Sequence, residues 1–476
     1  MKTPILGASY LARSTNAAAD RMVNLYPEIV PQGGKEPAYL TRAPGLRRLA
    51  IVGTGPVRGM WVVGSFAYIV SGAQLWRMAS DYSITLLGTV AGSGPVTMTD
   101  NGTQLFIAAD FGGYIYNTST GVFAPIADPD FPGAVVVGYL DGYFVFIQPN
   151  SQRLWVTSLL DGTSVDPLDF ASVEGSPDNL VSMIIDHREV WLFGVNSVEV
   201  WYNSGNVDFP LERIQGAFNE IGCAATYSVA KLDNAIFWLG SDVRGRGIVY
   251  RSNGYTGQRV STHAMEWQIQ QYVTLSDAIA YTYQQDGHAF YVLTFPSAEA
   301  TWVYDVSTGQ WHERARWMSP GFGRHRGNCQ MVFNNEVVIG DYQLGRIYAY
   351  DMSVYADDVF SQVCLRAWRA LAPGENTLNR TIHDALQLDC EVGVGVATGQ
   401  GSNPQVMLRW SDDGGHTWSG EHWRSIGAIG TTQTRVFWRR LGMTMRSRDR
   451  VYEISCSDPV KLAIMGAELH LRPTGA

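Results

Sequence analysis

The sequence predicts an all-β protein. A β-propeller of six or seven blades, seven favoured, is followed by a C-terminal antiparallel β-sandwich-like domain and preceded by an extended N-terminal arm. Three observations lead there. Of 476 residues 50 are Gly, aromatics make up 12% and charged residues only 17%, the usage of a chain rich in turns and poor in long helices. A strand–turn–strand–loop–strand unit recurs from about Val57 to about Asp351. Beyond it the rhythm changes to half-buried alternating strands, among which stands one well-formed turn motif, Ser411-Asp412-Asp413-Gly414-Gly415-His416-Thr417-Trp418.

The arm is assigned to residues 1–50. Pro27, Pro31 and Pro44, with Gly33, Gly34 and Gly45, leave no room for a long helix. The stretch reads as an irregular belt that lies on something else. Its first residues lack the uninterrupted apolar run of a secretory leader, and no signal peptide is expected.

Residues 51–355 are assigned to the propeller. The first unit runs through Val57–Val63, a turn at Gly64-Ser65, Phe66–Val70, a turn at Ser71-Gly72, and Gln74–Met78. Later units carry Asn101-Gly102, Asp141-Gly142, Asp186-His187, Asp286-Gly287 and Asn334-Asn335 at the corresponding place. The Asn-Gly and Asp-Gly pairs are the signals of type I′ hairpin turns, where both central residues take positive φ. Middle strands such as Phe144-Val145-Phe146 and Ile236-Phe237-Trp238-Leu239 are almost wholly apolar, as strands buried on both faces must be. Spacing between units runs from about 38 to about 54 residues, near the length of a propeller blade. Radial stacking then buries each face against a neighbour and leaves only short edges. A two-sheet sandwich is the structural competitor, but it requires no such repeat.

Residues 356–476 are assigned to the C-terminal β domain. Gln362–Arg369 and Asp384–Val392 alternate with period two. The turn motif follows Val406, Leu408 and Trp410 and is read as a hairpin built by side chains. Asp413 accepts from turn amides, Gly414 and Gly415 take positive φ, Ser411 and Thr417 bond the turn, and Trp418 covers it. This pattern resembles the Asp-box of sialidases and other propeller proteins, where the box is a structural turn. The structural set is therefore Ser411, Asp413, Gly415, Thr417 and Trp418.

Chemistry is hard to find elsewhere. Sialidase-like catalysis needs an arginine cluster, a Tyr nucleophile and an acid, and no spacing selects them. Nine histidines are scattered, and five cysteines stand at 223, 329, 364, 390 and 456 without a C-x-x-C pair. No metal, cofactor or catalytic residue is assigned, and buried free thiols are expected. No run of 18 apolar residues suggests a membrane span. Charge is uneven: Lys/Arg against Asp/Glu is 7 to 3 in residues 1–50, 15 to 30 in 51–359 and 13 to 11 in 360–476. A body of −15 disfavours sequence-reading of nucleic acid. The densest basic region is Arg435, Arg439, Arg440, Arg446, Arg448 and Arg450, read as an interface or DNA-facing surface. Arg314-Ala315-Arg316 and Arg324-His325-Arg326 bracket a loop that could dock a partner at the propeller rim.

Three phrases together resemble one family. They are Val23-Asn24-Leu25-Tyr26-Pro27-Glu28 with Thr41-Arg42-Ala43-Pro44-Gly45-Leu46, then Val90–Met98, then Leu408–Gly414 with Val436–Gly442 and Ser457–Val460. This is similar to the packaged-DNA stabilisation proteins, the tail-hub or nozzle proteins, of short-tailed bacteriophages. The resemblance implies a hexameric structural component of the virion tail, made in the host cytoplasm. It implies neighbours too: a head-to-tail adaptor, and fibre, spike or needle proteins. Double-stranded DNA would pass through the lumen without sequence readout, and there would be no cofactor and no catalysis. The rivals are a sialidase-like propeller glycosidase, resting on the Asp-box, and a carbohydrate-binding propeller using exposed tryptophans.

Overall fold

The computed structural model describes residues 1–173, 175–242, 245–372, 380–444 and 450–473. The repeats form seven blades whose inner strands are Val57–Val63, Thr97–Asp100, Val137–Leu140, Leu180–Asp186, Ala230–Leu232, Ile279–Gln285 and Gly327–Phe333. Each blade packs beside the next, and the seventh packs beside the first, closing the ring. The fifth unit, which lacks a turn dipeptide in the sequence reading, still makes a blade. Its inner strand is split into Gly222–Cys223 and Ala230–Leu232, both paired with Ala235–Asp242. Between blades 5 and 6 lies a short helix, His263–Gln270, capped by Thr262, which accepts from Met265 N at 3.4 Å.

Local turn chemistry follows the sequence in part. Asp141-Gly142, Asp286-Gly287 and Asn334-Asn335 are the central pairs expected. The turns read at Ser71-Gly72 and Asp186-His187 fall one residue later, at Gly72-Ala73 and His187-Arg188, because Ser71 pairs with Gln74 and Asp186 with Glu189. Both central residues take positive φ at Asp141-Gly142, His187-Arg188, Asp233-Asn234, Asp286-Gly287 and Asn334-Asn335. At Asn101-Gly102 only the glycine does. There Asn101 Oδ1 instead accepts from the amides of Thr103 at 3.0 Å and Gln104 at 2.7 Å, an Asx-type turn rather than type I′.

The N-terminal stretch, read as irregular, is largely strand. Gly45–Ile51 pairs antiparallel with Arg346–Asp351 and supplies the outer strand of blade 7. The closure needs glycine at its first residue, since a Cβ on Gly45 would collide with the Val354 carbonyl. Ala19–Val23 inserts between Gln310–Glu313 of blade 6 and Cys364–Arg369 of the C-terminal domain. Leu25–Ile29 and Ala38–Arg42 form a hairpin beside Ala463–Pro473. Pro27 is compatible with this because Leu25–Ile29 is the edge of its sheet, where a missing N–H costs no ladder bond. The belt does lie on the rest of the chain, held by backbone pairing.

The C-terminal domain is a sandwich of two sheets that both contain N-terminal strands. One holds Leu25–Ile29, Ala38–Arg42, Ala463–Pro473, Thr381–Cys390 and Val436–Arg439 in that order. The other runs from blade 6 through Ala19–Val23 into Cys364–Arg369, Val451–Cys456, Gln405–Ser411 and His422–Ser425. A single hydrogen-bonded sheet thus crosses from propeller to sandwich. Between the two sheets lies a core that includes Met22, Leu25, Trp368, Leu386, Trp438, Tyr452 and Ile464.

Candidate functional site

The turn motif joins Gln405–Ser411 to His422–Ser425, which pair antiparallel with Leu408 opposite His422. Its side chains build the turn. Ser411 Oγ donates to Asp413 Oδ1 at 2.7 Å and accepts from Gly415 N at 2.8 Å. The amides of His416 and Thr417 donate to Asp413 Oδ1 at 2.9 and 2.8 Å, and Thr417 Oγ1 donates to Oδ2 at 2.6 Å. Gly414 and Gly415 take positive φ. The hydroxyls of Ser411 and Thr417, with the turn amides, hold the Asp413 carboxyl well below the usual carboxylate range. Trp418 folds back under Arg409, whose guanidinium lies 4.7 Å from the ring centre. The Asp413 carboxylate is consumed by its own turn.

Asp412 points the other way. It receives Arg450 Nε at 2.7 Å and Nη2 at 2.8 Å, a bidentate pair. Arg450 also donates to Leu441 O at 2.8 Å and is 4% exposed. It therefore ties three segments together inside the sandwich and does not belong to a DNA-facing surface. Neighbouring Arg446 and Arg448 lie outside the described residues. Arg440 is exposed at the end of its strand, with φ of 60° and its amide on Asp384 O at 2.7 Å.

Arg435 and Arg439 do form a surface. Their guanidinium carbons stand 5.8 and 5.0 Å from the Phe437 ring centre. Sequence reasoning missed the third member, Arg424, which donates to Phe437 O at 3.0 Å from the adjacent edge strand. Only the meeting of two sheet edges brings it there. The four residues line a shallow hollow of about 370 Å³. Among the described residues no carboxylate lies within ion-pair distance of these three arginines, although many other arginines have one. They stand at the far edge of both sandwich sheets, away from the propeller.

Three of the four rim arginines are internal, and Arg316 is half-buried. Arg314, Arg324 and Arg326 are buried. Arg314 donates to Pro44 O at 3.0 Å, and Arg326 pairs with Asp341 at 3.2 Å. Burial, reinforced by these cations, pushes the intervening His325 well below the usual histidine range. What the bracketed hairpin exposes is its tip, Trp317 and Met318. Asn24 is a further residue that sequence reasoning did not single out as functional. It sits at φ 53° where the blade 6 sheet passes into the sandwich.

Among the described residues no group of three His, Cys, Asp or Glu is placed to hold a metal, and no helix is long and apolar enough to cross a membrane. Similar solved structures include a streptogramin B lyase, with 11% identity over 68% of this chain and 97% of that one, at a TM-score of 0.43. The N-terminal domain of Nup159 gives 8% identity over 70% and 99%, at 0.39. An extracellular domain of a putative hybrid two-component system, BT4673 from B. thetaiotaomicron, gives 12% identity over 64% of this chain and 40% of that one, at 0.43. No curated protein matches the sequence. Family models do: the bacteriophage P22 Gp10 β-propeller matches residues 1–355 and the Gp10 β-sandwich matches residues 369–472, so the chain belongs to the P22 Gp10 family of phage tail structural proteins.

Proposed function

We propose that the protein forms a hexameric hub or nozzle at the phage tail. In this reading it extends the DNA exit channel below the portal and adaptor, retains packaged DNA, and presents docking surfaces to fibre, spike or needle proteins. The observation that carries the reading is the joint between domains: one sheet runs from blade 6 through Ala19–Val23 into the sandwich. A joint made of backbone hydrogen bonds leaves no linker to flex, which suits a static strut in a ring. The acidic balance of residues 51–359 supports passage of DNA without adhesion, because like charges repel and base reading would need a basic groove. Five free cysteines agree with synthesis in a reducing host cytoplasm.

Light scattering on the purified chain, alone and added to isolated portal–adaptor complexes, tests the proposal. The expected result is a closed assembly of about six protomers in at least one setting. A chain that stays monomeric in both, and that cleaves a sialoside reporter, would move the reading to a glycosidase.

A further inference from the structure

Two surfaces on separate elements, one on the sandwich and one on blade 3, are each incomplete. One is the hollow of Arg424, Arg435 and Arg439 around Phe437, on the sandwich edge furthest from the propeller. The other is the long loop between Arg153–Val156 and Phe170–Ser172 in blade 3. Here Leu159, Leu160 and Leu168 are 59%, 60% and 78% exposed. The loop also carries Asp161, Asp166 and Asp169 and has no Lys or Arg between Thr157 and Asp169. Among the described residues none of these three carboxylates has an ion-pair partner.

The loop is also shaped in advance. Leu160 is held at φ 61°, its carbonyl accepts from Asn101 Nδ2 at 3.3 Å, and Asp161 accepts from Gln104 Nε2 at 3.2 Å. A non-glycine residue at such a φ is sustained only where its surroundings fix it. Exposed leucines on a fixed, acidic loop match an arginine-lined aromatic hollow in both charge and polarity. The sandwich joins the ring at blade 6, and blade 3 lies three blades away around it. The two surfaces therefore cannot meet within one chain.

We propose that the arginine hollow of one copy receives the blade 3 loop of the next copy. The contact is heterologous, head to tail, the kind that closes into a ring when the rotation permits. This rests on the ring reading and names the surface that would build it. Arginine is the suited cation, since its flat guanidinium can stack on Phe437 and still give two donors to a carboxylate.

The test is a charge exchange. One full-length variant carries Arg435→Glu and Arg439→Glu; the other carries Asp166→Arg and Asp169→Arg. Sedimentation velocity should show each alone associating at least about tenfold more weakly than the parent. Mixed in equal amounts they should recover assembly, because each reversed surface then meets its complement on the other variant. The parent assembly should also dissociate as salt rises, a readout that survives if a variant fails to fold. If the parent forms rings and both variants form them equally well, the arginines only blunt two exposed sheet edges and the proposal falls. Salt-independent assembly sinks it as well. A parent chain that is monomeric in solution and on isolated tails removes the ring reading itself.

Discussion

Asn24 meets both backbone groups of Ala315 with its side-chain amide: Oδ1 accepts from Ala315 N at 3.0 Å and Nδ2 donates to Ala315 O at 2.7 Å. The same Nδ2 donates to Val363 O at 2.8 Å. Asn24 follows the strand that carries the blade 6 sheet into the sandwich, and it acts as a substitute bridge where the backbone turns away at φ 53°.

Replacing Asn24 by Ala should therefore loosen the joint between the two domains. It strips a buried N–H and two carbonyls of their partner, at a cost of about 1–3 kcal/mol for each group left unsatisfied. Calorimetry should show a lower midpoint and, if the joint is what couples the domains, a transition that splits in two. A single unshifted transition would show that backbone pairing alone holds the joint.

Two adjacent carboxylates should answer differently to the same change. Asp412→Ala leaves Arg450, buried and bidentate to it, without its counter-charge, and breaking such a pair costs about 3–5 kcal/mol. Asp413→Ala removes turn bonds that are exposed or only part-buried and strands no buried charge, and should lower the midpoint less. Equal losses in thermal denaturation would contradict this division. Acid should mimic the weaker change, since the Asp413 carboxyl is held below its ordinary value. Its stabilisation is present above the unfolded carboxylate pKa and lost as pH falls through the folded one.

Buried histidines act in the same direction over a higher pH range. Burial lowers His312 and His383 to about 3 and pushes His325 well below its usual value. The unfolded chain binds protons near pH 6.5 that the folded chain refuses, so each histidine erodes stability as pH falls from about 6.5 toward 3, by up to about 1.4 kcal/mol per pH unit. His288 opposes them. Its bond to Asp305 raises it, so its contribution is present below the ordinary histidine value and is lost as pH rises through the raised one. Among the histidines the balance is three to one, while burial raises the carboxyls of Asp20, Asp357 and Glu453, which oppose the trend. The test is therefore differential: His312→Gln should make the urea midpoint less sensitive to pH between 6.5 and 4 than the parent's. An unchanged slope in the variant would refute the assignment.

How much of this was legible in the sequence depends on the range of the contact. The hairpin at Asp286-Gly287 and the Ser411–Trp418 turn were readable because both are fixed by residues within a few positions of each other. Blade 7 needed Gly45–Ile51, about 300 residues from its partner strand, and no local pattern distinguishes a closing strand from a belt. Arg450 looked like one of a basic run because its partner, Asp412, is named only by the register of Trp410 with Tyr452. Arg424 joined Arg435 and Arg439 for the same reason, through two sheet edges that meet in space.

Cys364 and Cys456 stand directly opposite each other on antiparallel strands, and both sulfurs enter the sandwich core. Opposed residues in such a pair are about 4.5–5.5 Å apart at Cα, within the span of a disulfide. Cys364 Sγ lies 3.4 Å from the Cys456 carbonyl oxygen, and the Cys456 thiol lowers the pKa of Cys364, which favours the thiolate that starts oxidation. Both are free in the structure, and of the remaining three cysteines none shares a register pair. Treatment with an azodicarboxamide oxidant should form the Cys364–Cys456 bond. Two protons and two electrons pass from the thiols to the azo group, which becomes the hydrazine. Thiol titration after denaturation should fall from five to three, and the thermal midpoint should rise because the bond closes a loop of about 90 residues in the unfolded chain. Cys456→Ser should abolish both effects. Five thiols persisting after prolonged oxidation at a temperature where the sandwich opens locally would show that the two sulfurs cannot meet.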